Sequence, residues 1–171
     1  MARHASSWAM SDFLHAMGAA VTGATIVTTT IDGSPIGRTV SAMCSVSAEP
    51  PLLLVAVRSE SPLVAAISAR RAFAVNVLAD HQAGLAETFA GRGAAAHAFR
   101  ERDWWPLAGG GPPLLHGAAA RFACEVATLT VAGTHTLILG AVTRAERGTS
   151  TPLAYTRRGY VAPLTTERLA A

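Results

Sequence analysis

The sequence predicts a mainly β fold, a Greek-key-like antiparallel β-barrel with peripheral helices. Three observations carry this expectation. Segments rich in β-branched and apolar residues recur along the chain and dominate the helical ones. Turn signals at Asp32-Gly33 and Ala132-Gly133 join neighbouring segments of this kind, as antiparallel hairpins require. The helical stretches are short and set to the side, without the regular alternation of a parallel sheet.

Taken in order, residues 8–19 read as a helix, with Ser11 as N-cap, Asp12 in the first turn, and Phe13 and Met17 one turn apart. From Gly23 the texture becomes A-T-I-V-T-T-T-I, a strand, and Asp32-Gly33 turns it into a second strand over 36–47. Glu49-Pro50-Pro51 stops that strand, because proline cannot donate to a ladder. Residues 52–57, L-L-L-V-A-V, form a continuous apolar run that predicts a strand buried on both faces. Ser61 then caps a helix with Pro62 at its first position. Residues 73–78 are a further strand. Asp80 opens a helix whose Leu85, Ala86 and Phe89 share a face, ending near Gly91.

Residues 91–117 read as a long loop with Trp104-Trp105 at its centre, either a flap over a ligand or packing against the barrel or a second subunit. Strands over 119–131 and 134–147, a short strand over 153–156 and a tail complete the chain. At 171 residues, with no repeat and no linker, residues 1–171 are expected to form a single domain with a core from about 13 to 160.

Composition removes several functions. Half of the chain is hydrophobic and 15% is charged, which excludes a disordered chain. The net charge of +3 comes from 14 basic residues that are all arginine. Without lysine there is no Walker phosphate loop, no Schiff base and no lysine general base. Anions must be gripped by arginine, backbone N–H groups or hydroxyls. The arginines are scattered rather than striped, so nucleic acid is not an expected partner. The longest uncharged run, 13–31, contains His15, five Thr and two Gly and reads as a helix end and a strand, not a membrane span. The start, M-A-R-H-A-S-S-W, lacks the apolar stretch of a signal peptide. Together with Cys44 and Cys124, read as reduced, buried thiols, this predicts a cytoplasmic protein.

The motif G-R-G-A-A-A at 91–96 formally fits a dinucleotide fingerprint, but it follows a helix and opens a loop, the wrong context. The histidines at 4, 15, 81, 97, 116 and 135 have no metal-ligand spacing, so no metal site is assigned. No G-x-S-x-G is present, and no catalytic residue is assigned. What remains is hydroxyls, small residues and arginine near strand ends. The stretch G-R-T-V-S-A-M-C-S-V-S, residues 37–47, offers backbone and hydroxyls to the edge of a flat heteroaromatic ligand, or is an ordinary half-polar strand. In Arg58-Ser59-Glu60-Ser61-Pro62 a strand passes into a helix N-terminus, which favours phosphate, or is a plain capping motif. Arg92, beyond the next helix, is placed to close such a site.

These blocks carry a resemblance. The order T-G-A-T-I-V-T-T, G-R-T-V-S-A-M-C-S-V-S-A-E-P-P-L-L-L-V, S-x-S-P, F-A-V-N-V-L, F-A-G-R-G, G-T-H-T-L-I-L-G and Y-T-R-R-G-Y resembles the flavin reductases of two-component monooxygenases, from about Phe13 to Tyr160. The resemblance implies an FMN-binding split barrel and a homodimer that reduces FMN or FAD with NADH or NADPH. A separate flavin-dependent monooxygenase would then consume the reduced flavin. It further implies that Thr39, Val40, Ser41, Ala42 and Ser45 line the flavin, that Arg58, Ser59, Ser61 and Arg92 hold its phosphate, and that His135, Arg157 and Tyr160 lie near the nicotinamide. Two positions depart from the family pattern: its N-S-F is Ser41-Ala42-Met43, and the Asp of its G-D-H is Thr134. Two other functions suit the same blocks: a flavin-binding carrier or sensor without turnover, and a split-barrel flavoenzyme acting on an organic substrate.

Overall fold

In the computed structural model, which describes residues 7–93, 98–107 and 110–163, the chain begins with helix α1 (Ser7–Ala19) and the short strand β1 (Thr22–Gly23). The β-branched segment becomes β2 (Thr25–Ile31). Asp32 and Gly33, both at positive φ, turn it into β3 (Ser34–Val40), the geometry a two-residue hairpin needs. Next come β4 (Met43–Ala48), β5 (Pro51–Arg58), α2 (Pro62–Arg70), β6 (Ala72–Val77) and α3 (Ala83–Phe89). A hairpin of β7 (Trp104–Leu107) and β8 (Gly111–Leu115), the long pair β9 (Ala120–Ala132) and β10 (His135–Arg147), and the small pair β11 (Ala154–Thr156) and β12 (Gly159–Val161) follow.

The main sheet has seven antiparallel strands in the order β3-β2-β6-β9-β10-β5-β4. Its two outer strands, β3 and β4, are consecutive in the chain and are joined by Ser41-Ala42 alone. The sheet therefore curls until its margins meet at one covalent link, a barrel with a seam. One apolar cluster, including Val27, Val40, Val55, Leu63, Ile67, Phe73 and Ile138, fills the inside, with α2 plugging it. A second, including Ile26, Leu78, Ala86, Phe89, Trp104 and Leu115, lies between the sheet, α3 and the β7–β8 hairpin.

Because both clusters press on β2, that strand is buried on both faces over Thr25 to Thr29, as is its neighbour β6 over Phe73 to Asn76. The threonines of β2 meet the resulting hydrogen-bond demand. Thr25 donates to the carbonyl of Val40 at 2.6 Å, Thr28 to that of Pro113 at 2.7 Å and Thr29 to that of Ala72 at 2.7 Å. Asn76, also fully buried, donates to the carbonyl of Ile26 at 3.1 Å and accepts from the N–H of Leu115 at 2.8 Å.

Several expectations are corrected. The strand predicted over 36–47 is broken at Ser41-Ala42, where the chain leaves one sheet margin for the other. The run 52–57 alternates instead of being buried on both faces: Leu53, Val55 and Val57 are buried, Leu52, Leu54 and Ala56 half-buried. The helix α1 starts at Ser7, so Ser11 lies inside it and is not its N-cap; Phe13 and Met17, one turn apart, are both exposed. Asp80 caps no α-helix: it begins a 3-10 turn and accepts from the N–H of His81, while Gln82 reaches back to the N–H of Ala79. The loop predicted over 91–117 contains the β7–β8 hairpin, and the predicted tail contains β12. Cys44 is exposed, whereas Cys124 is buried and its thiol is pushed up to about 12 by desolvation. The first six residues, residues 94–97 (the end of G-R-G-A-A-A included), 108–109 and 164–171 lie outside the described residues.

Candidate functional site

The seam opens a cleft of about 510 Å³ between the end of β3, the end of β5 and the helices α2 and α3. Its lining brings together seven of the residues singled out from the sequence, Thr39, Val40, Ser41, Ala42, Arg58, Ser61 and His135. The link itself is held in place: Ala42 accepts from the N–H of Ala56 at 3.0 Å, and Ser41 from that of Met43 at 3.1 Å. Thr39 donates its hydroxyl proton to the carbonyl of Ala86 at 2.6 Å, fixing α3 as one wall. The rest of the lining came without a sequence signal of its own: Arg38, Glu60, Phe89 and Ala90 among it. Arg38 and Glu60 lie inside motifs already singled out, but no local pattern separates a cleft residue from its neighbours there.

The turn after β5 is more fully bonded than its sequence suggests. Ser61 caps α2, accepting from the N–H of Leu63 at 3.3 Å, with Pro62 at the first position. The N–H groups of Ser59, Ser61 and Val64 donate to the carbonyls of Thr134, Arg58 and Ser61. The free N–H groups expected at this helix start are thus mostly taken, and Pro62 has none. Positive charge at the cleft comes chiefly from side chains. Arg58 is exposed at the end of β5, and His135 is its cross-strand partner at the start of β10. The Nδ1 of His135 lies 2.9 Å from the hydroxyl of Thr134. Thr134 therefore orients the ring from the position where the family pattern has Asp.

An adjoining recess of about 190 Å³ shares Thr39, Ser41 and Ala90 with the cleft and adds Arg92, Tyr155 and Tyr160. The tyrosines are cross-strand neighbours on β11 and β12 with ring centroids 5.2 Å apart. Arg92 is not free: Glu87, on the last turn of α3, grips its guanidinium through Nε and through Nη2 at 2.9 Å. The hydrogen bond and charge of Arg92 hold the Glu87 carboxyl below its ordinary range, and Glu87 raises Arg92 in turn. Burial, with the Glu87 charge adding to it, raises the Tyr160 phenol. Glu87 was missed from the sequence; its spacing of five from Arg92 has no meaning until the end of α3 folds back.

Three expected residues lie outside both lining sets. Ser45 is exposed on β4 opposite Leu53. Ser59 turns its hydroxyl to that of Thr136 at 3.0 Å. Arg157 is exposed in the β11–β12 turn, at φ 48°, and its N–H donates to Gly18 at 2.7 Å. The two tryptophans pack against the protein. Trp104 is buried against Phe89 and Phe99 and donates to the carbonyl of Ala98 at 2.9 Å; Trp105 lies under Arg121, whose guanidinium carbon is 4.5 Å from the ring centre. Among the described residues no His, Cys, Asp or Glu cluster suits a metal, and no helix is long and apolar enough to cross a membrane.

The cleft fits a flat ligand with an anionic tail: a strand edge and link on one side, arginines at the rim, and a volume within the usual range for small-molecule sites. Comparison with known proteins agrees. Residues 17–163 match the family described as flavin reductase like domain. A flavin reductase (NADH) of Kitasatospora aureofaciens is 43% identical over 154 residues, covering 86% of this chain and 78% of its own. The reductase component of a 4-nitrophenol 4-monooxygenase/4-nitrocatechol 2-monooxygenase from Rhodococcus opacus is 37% identical, covering 86% and 77%. Among solved structures, the NADH:FAD oxidoreductase SgcE6 of Streptomyces globisporus C-1027, in complex with NAD and FAD fragments, superposes with a TM-score of 0.84 at 27% identity, covering 98% of this chain and 100% of its own. With a seam cleft of this shape and a match over most of its length, the chain belongs to the flavin reductase like family.

Proposed function

We propose that the protein is an NAD(P)H:flavin oxidoreductase that reduces FMN or FAD and hands the reduced flavin to a separate monooxygenase. The observation that carries this function is the seam cleft, where the sequence-predicted Thr39, Ser41, Ala42, Arg58, Ser61 and His135 share one wall system. The names of the relatives from Kitasatospora and Rhodococcus support NADH as the donor and an oxygenase as the consumer.

When bound, the two cofactors supply the redox chemistry, a hydride passing from nicotinamide to flavin. The protein's own part is binding and orientation. The backbone and hydroxyls of Thr39 to Ala42 would line a bound flavin ring, and Val40 and Ala56 would add apolar contact to it. Arg58 and Ser61 would hold the phosphate from the cleft and Arg92 from the adjoining recess, with Ser59 bracing the turn through Thr136. His135 and Tyr160 shape the place of the nicotinamide, and no side chain needs to move a proton in the transfer itself. Ser45 and Arg157 stand outside the cleft and its recess.

The same proposal takes the chain as one cytoplasmic domain working as a homodimer. Helix α1 supports the dimer: residues 10–17 are all exposed, and Met10, Phe13, Leu14 and Met17 among them are apolar. Light scattering at micromolar concentration checks it, a monomeric mass ruling it out. The activity is checked by NADH and NADPH oxidation with added FMN, FAD and riboflavin. Steady turnover with free flavin is expected; flavin binding without NAD(P)H consumption would make the protein a carrier or sensor instead.

A further inference from the structure

Three cations surround the cleft and its recess, but they are not equivalent. Arg92 is committed to Glu87. Arg70, Arg71, Arg121 and Arg144 elsewhere are likewise bonded to carbonyls or carboxylates. Arg38 and Arg58, by contrast, line the same cleft and have neither an ion pair nor a hydrogen bond among the described side chains. A solvent-facing arginine on an edge strand is ordinarily unremarkable. Arg38 differs in where its side chain goes. Its Nη1 lies 3.5 Å from where a Cβ would stand at Gly91, so the side chain runs along the rim to the end of α3, and a glycine at φ +82° stands where it arrives.

The chemistry of the facing wall gives that reach a purpose. The N–H groups around Ser61 are largely consumed by the turn and the cap, so the backbone offers an anion little there. Glu60 adds a negative charge to the same lining, and one arginine would merely cancel it. Arg92 lies in the adjoining recess and is held by Glu87, so a phosphate in this cleft needs a guanidinium besides Arg58, and arginine's fork suits phosphate oxygens. We propose that Arg38 is a phosphate ligand of this cleft, opposing Arg58 across the phosphoryl group of the bound flavin and so selecting phosphorylated flavins over riboflavin. This rests on the flavin oxidoreductase function proposed above.

The test compares the intact protein with Arg38→Gln and Arg38→Lys, measuring equilibrium binding of FMN and of riboflavin by flavin fluorescence at low and high salt, with thermal melts alongside. Arg38→Gln is expected to weaken FMN about tenfold or more, as loss of a charge-assisted contact does, while riboflavin changes less than about twofold. The salt dependence of FMN binding should fall in Arg38→Gln and be retained in Arg38→Lys, because the latter keeps the charge. FMN binding unchanged in Arg38→Gln, or FMN and riboflavin weakened alike, overturns the assignment. Failure of the unaltered protein to bind either flavin would instead refute the flavin function on which it rests, a result that no Arg38 variant can mimic.

Discussion

His135 stands directly across from Arg58 in the β5–β10 ladder, so the imidazole and the guanidinium enter one cleft from neighbouring strand ends. The residue proposed to place the nicotinamide and the one proposed to face the phosphate are thereby held at a fixed separation by sheet register. His135→Ala should leave flavin affinity near that of the unaltered protein while slowing flavin reduction by NAD(P)H at least several-fold, since misplacement by about 1 Å can cost about 100-fold. Anaerobic rapid mixing measures this, and an unchanged rate at every NAD(P)H concentration removes His135 from the site.

The Glu87–Arg92 pair predicts opposite effects of two substitutions. Arg92→Ala removes the cation from the recess and leaves the Glu87 carboxylate without its arginine partner. FMN binding should weaken about tenfold or more, with riboflavin much less affected. Glu87→Gln frees Arg92 and should tighten FMN binding several-fold; titration by fluorescence reads both. If Glu87→Gln instead weakens FMN, Glu87 serves to aim Arg92 rather than to compete for it.

The same pair has a pH signature. The folded-state pKa of Glu87 lies below its unfolded value, so the pair's contribution to stability is present above the ordinary carboxylate range. It is lost as pH falls through the depressed value. Glu87→Gln should therefore lower the melting temperature slightly near pH 7, flatten the acid limb, and bring the two profiles together at low pH. Identical acid limbs would show that the pair forms no differential contact in solution.

Asn76 joins β2 to β8 through its two amide atoms at a fully buried position. Asn76→Leu strands the carbonyl of Ile26 and the N–H of Leu115 and should cost about 2 kcal/mol or more. Urea denaturation checks it, and a loss below about 0.5 kcal/mol would mean that water replaces the amide.

Gly140 sits at a register shift between β9 and β10, where an added Cβ would meet Phe73 Cζ at 2.5 Å and Cys124 Cβ at 2.9 Å. Gly140→Ala should cost about 1–3 kcal/mol by overpacking. A melting temperature lowered by roughly 2–4 °C per kcal/mol is the expected scan. An unchanged melt would show that the Phe73 ring gives way freely.

Much of this molecule is legible in its sequence because the strands obey local rules. Asp32-Gly33 marks its hairpin, the turn expected around Ala132-Gly133 falls one residue on at Gly133-Thr134, and Ser61-Pro62 marks the start of α2. What escaped was set by tertiary contacts. The break at Ser41-Ala42 is invisible because no Gly or Pro marks it, and strand-compatible residues run through it while the chain changes partners. The double burial of β2 was hidden by its threonines, which look solvent-facing until Val40, Ala72 and Pro113 supply acceptors. In the cleft, a strand motif located Thr39 to Ala42, but what decides which arginine is available, Glu87 holding Arg92 while no described side chain bonds Arg38, is set by other elements.

The single link at Ser41-Ala42 also bears on how the protein responds to what it binds. The margins β3 and β4 are tied end to end but not laced side by side, so lateral breathing of the barrel concentrates there. A flat ring wedged between the two margins would act as a removable rung. Its binding energy would be felt by every strand of the sheet, and resistance to heat would rise with the logarithm of free flavin concentration once the dissociation constant is exceeded. Amide exchange at Val40 and Met43, the residues flanking the link, should slow with added FMN before that of the β9–β10 hairpin tip does.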